Sequence, residues 1–451
     1  MSPSSEPSAW YDVAIVGAGP AGLSLAAELS KTHLVALIEK ERIRGTRKAW
    51  CILELDGFRA DDAHVLNRMA KGTIRLRDGS DSHDFSRQMK DGEGCALIDE
   101  NRVMEGWIAI ARENRCRFFE KTAFVEFAYL AEGVRLRTTG EEIKAKLVVD
   151  ASGYNSPILK KLGLDTRSDF LVPTYGGYID QASFADSSNA LGLVMDSSTP
   201  IYAEYFPISE EKGCAWIFRI LPQERFVEKS ERDWIGELRH NFSSVVAKDP
   251  EVSRSRICAE RYGVIPMKKG QRKAADRILL VGDAGGSTPF STLGFNRIFK
   301  NYRSTARQIS DRLEEGELSG RSLNEITFND GNRFSDVVGP MMIQTMTKLD
   351  FDDVLRVTRK IRQYDLFEEF VDLQAHAADN SVRLEHVEAF GRKLMRRPLS
   401  ERLDTLRTSY GFLSARDGVQ LGYAVGKAYL GARYLRLKTE RSQRSQVDSS
   451  D

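Results

Sequence analysis

Three glycines, Gly17, Gly19 and Gly22, are spaced as G-x-G-x-x-G and are followed by Glu39 in the stretch YDVAIVGAGPAGLSLAAELSKTHLVALIE. That set can hold a dinucleotide. Gly17 permits a tight turn, Gly19 lets the main chain approach a pyrophosphate, and Gly22 lets helix and sheet pack closely. A helix opening at Pro20 and Ala21 would aim its free N–H groups and positive dipole end at the phosphates. An acid about 20 residues past the glycines can bond a ribose hydroxyl, and Glu39, with Lys40 beside it, stands there. The bland alternative is a structural glycine turn. The complete order of strand, turn, helix, strand and acid argues against it.

Two further stretches carry the same kind of chemistry. Asp150-Ala151-Ser152-Gly153 ends an apolar run, and its small residues allow a ligand to lie against the backbone. An Asx turn followed by a helix capped at Ser156 is the ordinary alternative. Gly282-Asp283-Ala284-Gly285-Gly286 follows the apolar run Ile278 to Val281 and leads to Pro289, Gly294, Phe295 and Asn296. An acid at a strand end suits a sugar hydroxyl, and the next helix N-terminus suits a pyrophosphate or a ring oxygen that gains charge on reduction. Here the alternative is a helix cap at Asp283.

Other reactive side chains form no motif. Cys51, Cys95, Cys116, Cys214 and Cys258 show no C-x-x-C spacing. They read as buried small hydrophobes in a reducing cytoplasm. His33, His64, His83, His240, His376 and His386 show no ligand spacing, so no metal site is expected. No G-x-S-x-G nucleophile is present.

The elements that must position these residues follow from the apolar pattern. Val13 to Val16, Leu34 to Ile38, Lys144 to Val149 and Arg277 to Val281 read as buried parallel strands. Between the last two, TYGGYID, IYAEYF and CAWIFRI read as a second, aromatic-rich sheet. Glu100 to Glu113, Arg232 to Val246 and Phe295 to Leu313 read as helices. The expected fold is α/β: a discontinuous Rossmann-like domain over 10–50, 95–165 and 255–330, with an inserted, mostly antiparallel sheet over 51–94 and 166–254. A helical region is expected over 331–440, with disordered ends at 1–9 and 441–451.

The 66 basic and 65 acidic residues among 451 give no global attraction to nucleic acid. No apolar run is long enough to span a bilayer, and the polar start has no signal-peptide core. No segment calls for an obligate protein partner. Residues 423–438, YAVGKAYLGARYLRLK, could form a basic amphipathic helix lying on a membrane surface. A terminal helix packed on the body is the commoner reading.

Together and in this order, the three glycine-acid stretches resemble the FAD-binding set of a flavoprotein class. That class includes aromatic hydroxylases, flavin-dependent halogenases, geranylgeranyl reductases and lycopene cyclases. The resemblance covers about residues 11–310. It implies that the first turn and Glu39 hold the ADP half of FAD, that Asp150 to Gly153 line the same region, and that Asp283 bonds the ribityl or ribose side. It implies that Pro289 and Gly294 approach the flavin ring, and that Arg102, in IDENRVMEGW, contacts FAD. Gly213 to Phe218 resemble the G-Y-x-W-x-F-P motif of geranylgeranyl reductases, with Arg219 in place of the proline. Cys51 falls where those reductases carry a cysteine beside the flavin, and Ile265-Pro266-Met267 resembles a segment of lycopene cyclases.

The sequence also departs from parts of that class. Gly285 stands near where hydroxylases carry a histidine, the W-x-W-x-I-P stretch of tryptophan halogenases is absent, and no second G-x-G-x-x-G marks a separate NAD(P)H domain. The implied activity is reduction of a carbon–carbon double bond in a lipophilic substrate by reduced FAD, with NAD(P)H as a transient donor. Tyr175, Tyr178, Trp216 and Phe218 would line the pocket, and Cys51 would stand at the flavin. Oxygenation or halogenation, and a cyclisation without net redox change, are the alternatives.

Overall fold

The computed structural model describes residues 10–43, 49–164, 167–267, 274–285, 294–326, 351–379 and 384–401. The two chain ends expected to be disordered and the segment 423–438 lie outside these residues.

The strand Trp10–Val16 runs through the centre of the first sheet. Val13, Ala14, Ile15 and Val16 are buried, as a continuous apolar run must be when both sheet faces are covered. It pairs in parallel with Val35–Ile38 on one side and Glu142–Asp150 on the other. Cys116–Phe119 and Ile278–Leu280 extend the parallel array outward. The chain leaves Trp10–Val16 in one direction and returns on its other side. The crevice at the carboxyl ends of Trp10–Val16 and Glu142–Asp150 is therefore a topological switch point.

Helix Pro20–Leu29 lies beneath that crevice. Its small residues Ala21, Gly22, Ala26 and Ala27 let it pack closely against the sheet and against helix Gly294–Glu315. Pro20 at the helix start costs no hydrogen bond, since a first-turn N–H has no intrahelical acceptor.

The second sheet has Phe170–Asp180, Gly213–Phe218, Thr199–Pro207, Asn189–Asp196, Lys71–Asp78 and Asp81–Gln88 side by side. All these pairs are antiparallel except Asn189–Asp196 with Lys71–Asp78. One face packs on helix Glu231–Val246, whose Trp234, Ile235, Leu238, Phe242, Val245 and Val246 recur at helical spacing. A capping box between Ser230 and Asp233 starts that helix. Buried Arg75 clamps the loop after it by pairing with Asp249 and Glu251, and also holds Asp84 of the neighbouring strand.

Two expected boundaries move. Arg256–Met267 pairs along its length with Phe170–Asp180, so the second sheet reaches residue 267 rather than ending at 254. Gly94–Asp99 joins Ala49–Glu54 and Val65–Met69 in a separate three-stranded sheet. Helices Phe351–Gln363, Phe367–Asp379 and Leu384–Met395 occupy the expected helical region. Leu355, Ile361 and Phe367 pack on Leu76, Phe85 and Met195 of the second sheet.

Candidate active site

The glycine turn is set by the backbone on both sides. Gly17 sits at φ 103°, and a Cβ there would collide with the Ala151 carbonyl. A Cβ at Gly22 would collide with the Gly17 carbonyl, so strand, turn and helix close only without side chains. Gly19 differs: a Cβ there would meet no protein atom within 4 Å. Its open side faces the cleft, and no side chain caps helix Pro20–Leu29. Free N–H groups and open space together fit a pyrophosphate. Glu39 accepts a hydrogen bond from Ala18 N–H at Oε2 (2.8 Å) and from Glu41 N–H at Oε1 (3.0 Å). It thus fastens the turn, and its remaining lone pairs border the cleft.

The cleft above the turn measures about 740 Å³, in the range of small-molecule and cofactor sites. Gly17, Gly19, Pro20, Ala21, Glu39 and Lys40 form one end. Gly153, Gly282, Asp283, Gly294 and Phe295 form the middle, joined by Ala151, Ser152 and Asn155. Thr174, Glu204, Trp216 and Phe218 of the second sheet form the far wall, beside Trp50 and Cys51. Trp50 stacks on Phe295 with ring centroids 3.4 Å apart.

Several expected residues do not reach this space. Asp150 is fully buried, and its carboxylate accepts from Ser152 N–H and from the hydroxyls of Ser152 and Ser156. It shapes the turn from beneath, and Ser152 and Gly153 present themselves instead. Arg102 points outward from helix Glu100–Glu113, half exposed, and donates to the Ala63 carbonyl at 3.2 Å. Asn296 is buried and accepts from Leu53 N–H at 3.1 Å, fixing helix Gly294–Glu315 to strand Ala49–Glu54. Tyr175 lies on the opposite sheet face, edge-on to Phe242. Tyr178 packs with Cys214 and Leu97 in the apolar cluster that also holds Cys51, Phe206 and Trp216, behind the cleft lining and not part of it. Pro289 lies outside the described residues.

Cys51 lines the cleft, but it is bonded to Cys95. This corrects the expectation of a free thiol beside the ligand. The register explains the pairing: Cys51 faces Leu97 and Leu53 faces Cys95 on adjacent antiparallel strands, so the two cysteines are diagonal neighbours on one face. A disulfide sulfur is no nucleophile. Cys116, Cys214 and Cys258 are free thiols.

One residue was not singled out from the sequence. Glu204 lies directly across from Trp216, with Tyr202 and Phe206 two positions away on the same strand face. No hydrogen bond from a described residue reaches its carboxyl, and the half-buried side chain loses enough water beside these aromatics to push its pKa from 4.5 up to about 8. It is therefore a neutral acid near neutral pH, able to give up a proton into an apolar cleft. The sequence does carry a signal for it. In IYAEYF one alternating face reads Tyr202, Glu204, Phe206, a single acid where an apolar side chain is the norm.

A family model described as lycopene cyclase protein matches residues 12–381. The chain belongs to that family. The match spans the parallel sheet, the second sheet and helix Phe367–Asp379, so the turn, Asp283, Glu204 and the Cys51–Cys95 pair all fall within the lycopene cyclase family region. Two relatives are digeranylgeranylglycerophospholipid reductases of Methanopyrus kandleri. Reductase 1 is 30% identical over 167 residues, which is 34% of this chain and 42% of the reductase. Reductase 2 is 23% identical over 387 residues, covering 77% of this chain and 93% of the reductase. Among solved structures, a geranylgeranyl bacteriochlorophyll reductase-like protein from Thermoplasma acidophilum aligns with a TM-score of 0.65 at 17% identity. That alignment covers 89% of this chain and 99% of the other. The halogenase PltM in complex with phloroglucinol and FAD aligns at 0.58 and 14% identity, covering 92% and 98%. These likenesses place the lycopene cyclase family chain in the expected class of fold.

Proposed function

We propose that this chain is an FAD-dependent enzyme that reduces a carbon–carbon double bond in a lipophilic, isoprenoid-like substrate. The observation that carries this reading is Glu204, a neutral carboxylic acid on the aromatic wall of a cleft whose other end is a dinucleotide turn. Gly17, Gly19, Glu39, Gly282 and Asp283 would hold FAD. Bound there, reduced FAD supplies a hydride. Glu204 donates the proton to the adjacent carbon, so one hydride and one proton saturate one double bond. Glu204 is then reprotonated from water. Trp216 and Phe218 hold the apolar chain and keep water from the reacting carbons. A reduced nicotinamide dinucleotide is the proposed source of the hydride. The relatives named as geranylgeranyl-lipid reductases support the substrate class.

The test is an anaerobic titration of the FAD-loaded protein with NADPH, followed by addition of a polyprenyl lipid and mass spectrometry. Flavin bleaching, reoxidation on lipid addition, and a product heavier by two hydrogens per bond are expected. Absence of any flavin spectrum after FAD is added refutes the reading. Substrate-stimulated oxygen uptake with an oxygenated product assigns the cleft to oxygen chemistry instead.

The family match favours a second reading, a cyclisation without net redox change. Glu204 would protonate one alkene carbon, a second double bond of the same molecule would attack the cation, and the Glu204 carboxylate would take a proton back. A product of unchanged mass distinguishes it.

A further inference from the structure

The six histidines show no ligand spacing along the chain, yet folding brings two of them to one carboxylate. Asp56 stands in the turn after strand Ala49–Glu54, His376 lies on helix Phe367–Asp379, and His386 lies on helix Leu384–Met395. One ligand atom from each lies within 4.8 Å of the other two. His376 is only 1% exposed. Its Nδ1 is 3.7 Å from Asp56 Oδ2, and its Nε2 is 3.9 Å from Asp372 Oδ1 one helical turn earlier. The His386 ring stacks on it at 3.7 Å.

We propose that Asp56, His376 and His386 bind one divalent transition-metal ion of the zinc type, outside the cleft. Donors about 2.0–2.2 Å from a tetrahedral zinc stand roughly 3.3–3.6 Å from one another, close to the 3.7 Å between Nδ1 and Oδ2 and too long for a hydrogen bond. Two imidazoles and a carboxylate suit zinc, cobalt, nickel or copper better than magnesium or calcium. Metal at Nδ1 of His376 leaves Nε2 on the side of Asp372, 3.9 Å away, where a carboxylate can favour the Nε2–H tautomer through its charge. Asp372 is itself held by Arg87 and Lys90, both at 3.1 Å. A plain imidazolium–carboxylate pair is the competing account. His386 distinguishes the two: a plain pair needs only Asp56 and His376, whereas a donor atom of His386 also stands within 4.8 Å of both. For both rings to reach one ion, His386 must splay away from the stack. Water completes the coordination on the half-exposed Asp56 and His386 side. The ion would tie the turn that follows strand Ala49–Glu54 to the two C-terminal helices.

The test uses the full chain, stripped with a chelator and titrated with zinc chloride by calorimetry. One saturable ion per chain is expected. His386→Ala and Asp56→Asn should each weaken binding at least tenfold, while His240→Ala leaves it unchanged. No saturable binding, or undiminished binding in both ligand variants, overturns the proposal. Because a variant at this packed joint could fail to fold, pulsed electron paramagnetic resonance of the copper-loaded wild-type chain gives an independent reading. Coupling to imidazole nitrogen supports the site, and its absence at one bound copper overturns it.

Discussion

Replacing Glu204 by glutamine keeps the size of the side chain and removes its titration. The wild-type carboxyl moves from its ordinary 4.5 to about 8 because partial loss of water beside the aromatics penalises the charged form. At pH 7 a carboxyl of pKa about 8 is roughly nine-tenths protonated, against roughly 0.3% at the ordinary value, a gain of about 300-fold in the acid form. The same shift has a signature in stability. The folded chain holds this proton more tightly than the unfolded chain, so the contribution is fully present below pH 4.5 and is lost as pH rises through about 8. Relative to Glu204→Gln, the wild type should lose roughly 2–3 kcal/mol between about pH 6 and pH 9, out of about 5 kcal/mol overall. Urea unfolding of both proteins at stepped pH, in the same flavin state, measures this directly. A difference that stays flat across that window refutes the neutral acid, and with it the proton donor. If the acid acts as proposed, turnover of the glutamine variant falls by about 10²–10⁴-fold.

The two inner glycines should separate folding from binding. Gly22→Ala drives a methyl into the Gly17 carbonyl and should lower the melting temperature even without flavin, whereas Gly19→Ala meets only open space. Gly19→Ala should therefore melt like the wild type while losing at least about tenfold in FAD affinity, read by flavin fluorescence. Asp150→Ala leaves Ser152 N–H and the hydroxyls of Ser152 and Ser156 without their acceptor. It should cost about 1–3 kcal/mol in denaturant unfolding. Thiol titration of the denatured chain should find Cys116, Cys214 and Cys258 before reduction and all five cysteines after it. Cys95→Ser should destabilise the chain by about 2–4 kcal/mol.

The first glycine turn was legible because its strand, glycines, helix and acid are consecutive, so local chemistry alone specifies it. Arg256–Met267 was placed with the wrong sheet because its partner, Phe170–Asp180, lies some 80 residues earlier, and its own alternation fits either sheet. Tyr175 shows a different limit. Phe170–Asp180 is covered on both faces, so alternation separates Thr174 from Tyr175 but does not say which face meets the cleft and which meets helix Glu231–Val246. Thr174 lines the cleft and Tyr175 the helix. Trp216 and Phe218 fell on the cleft side, and Glu204, one strand over on that face, could have been found from them. The Cys51–Cys95 bond depends on register between strands 44 residues apart, which no spacing rule reports.

Glu39 has a consequence for timing. Because its two oxygens already hold Ala18 and Glu41, the turn is assembled by the chain itself. At that turn a nucleotide arriving in the cleft would have little backbone left to order, and ordering is part of what weakens association. The glycine turn would then keep one shape whether or not a nucleotide lies against it.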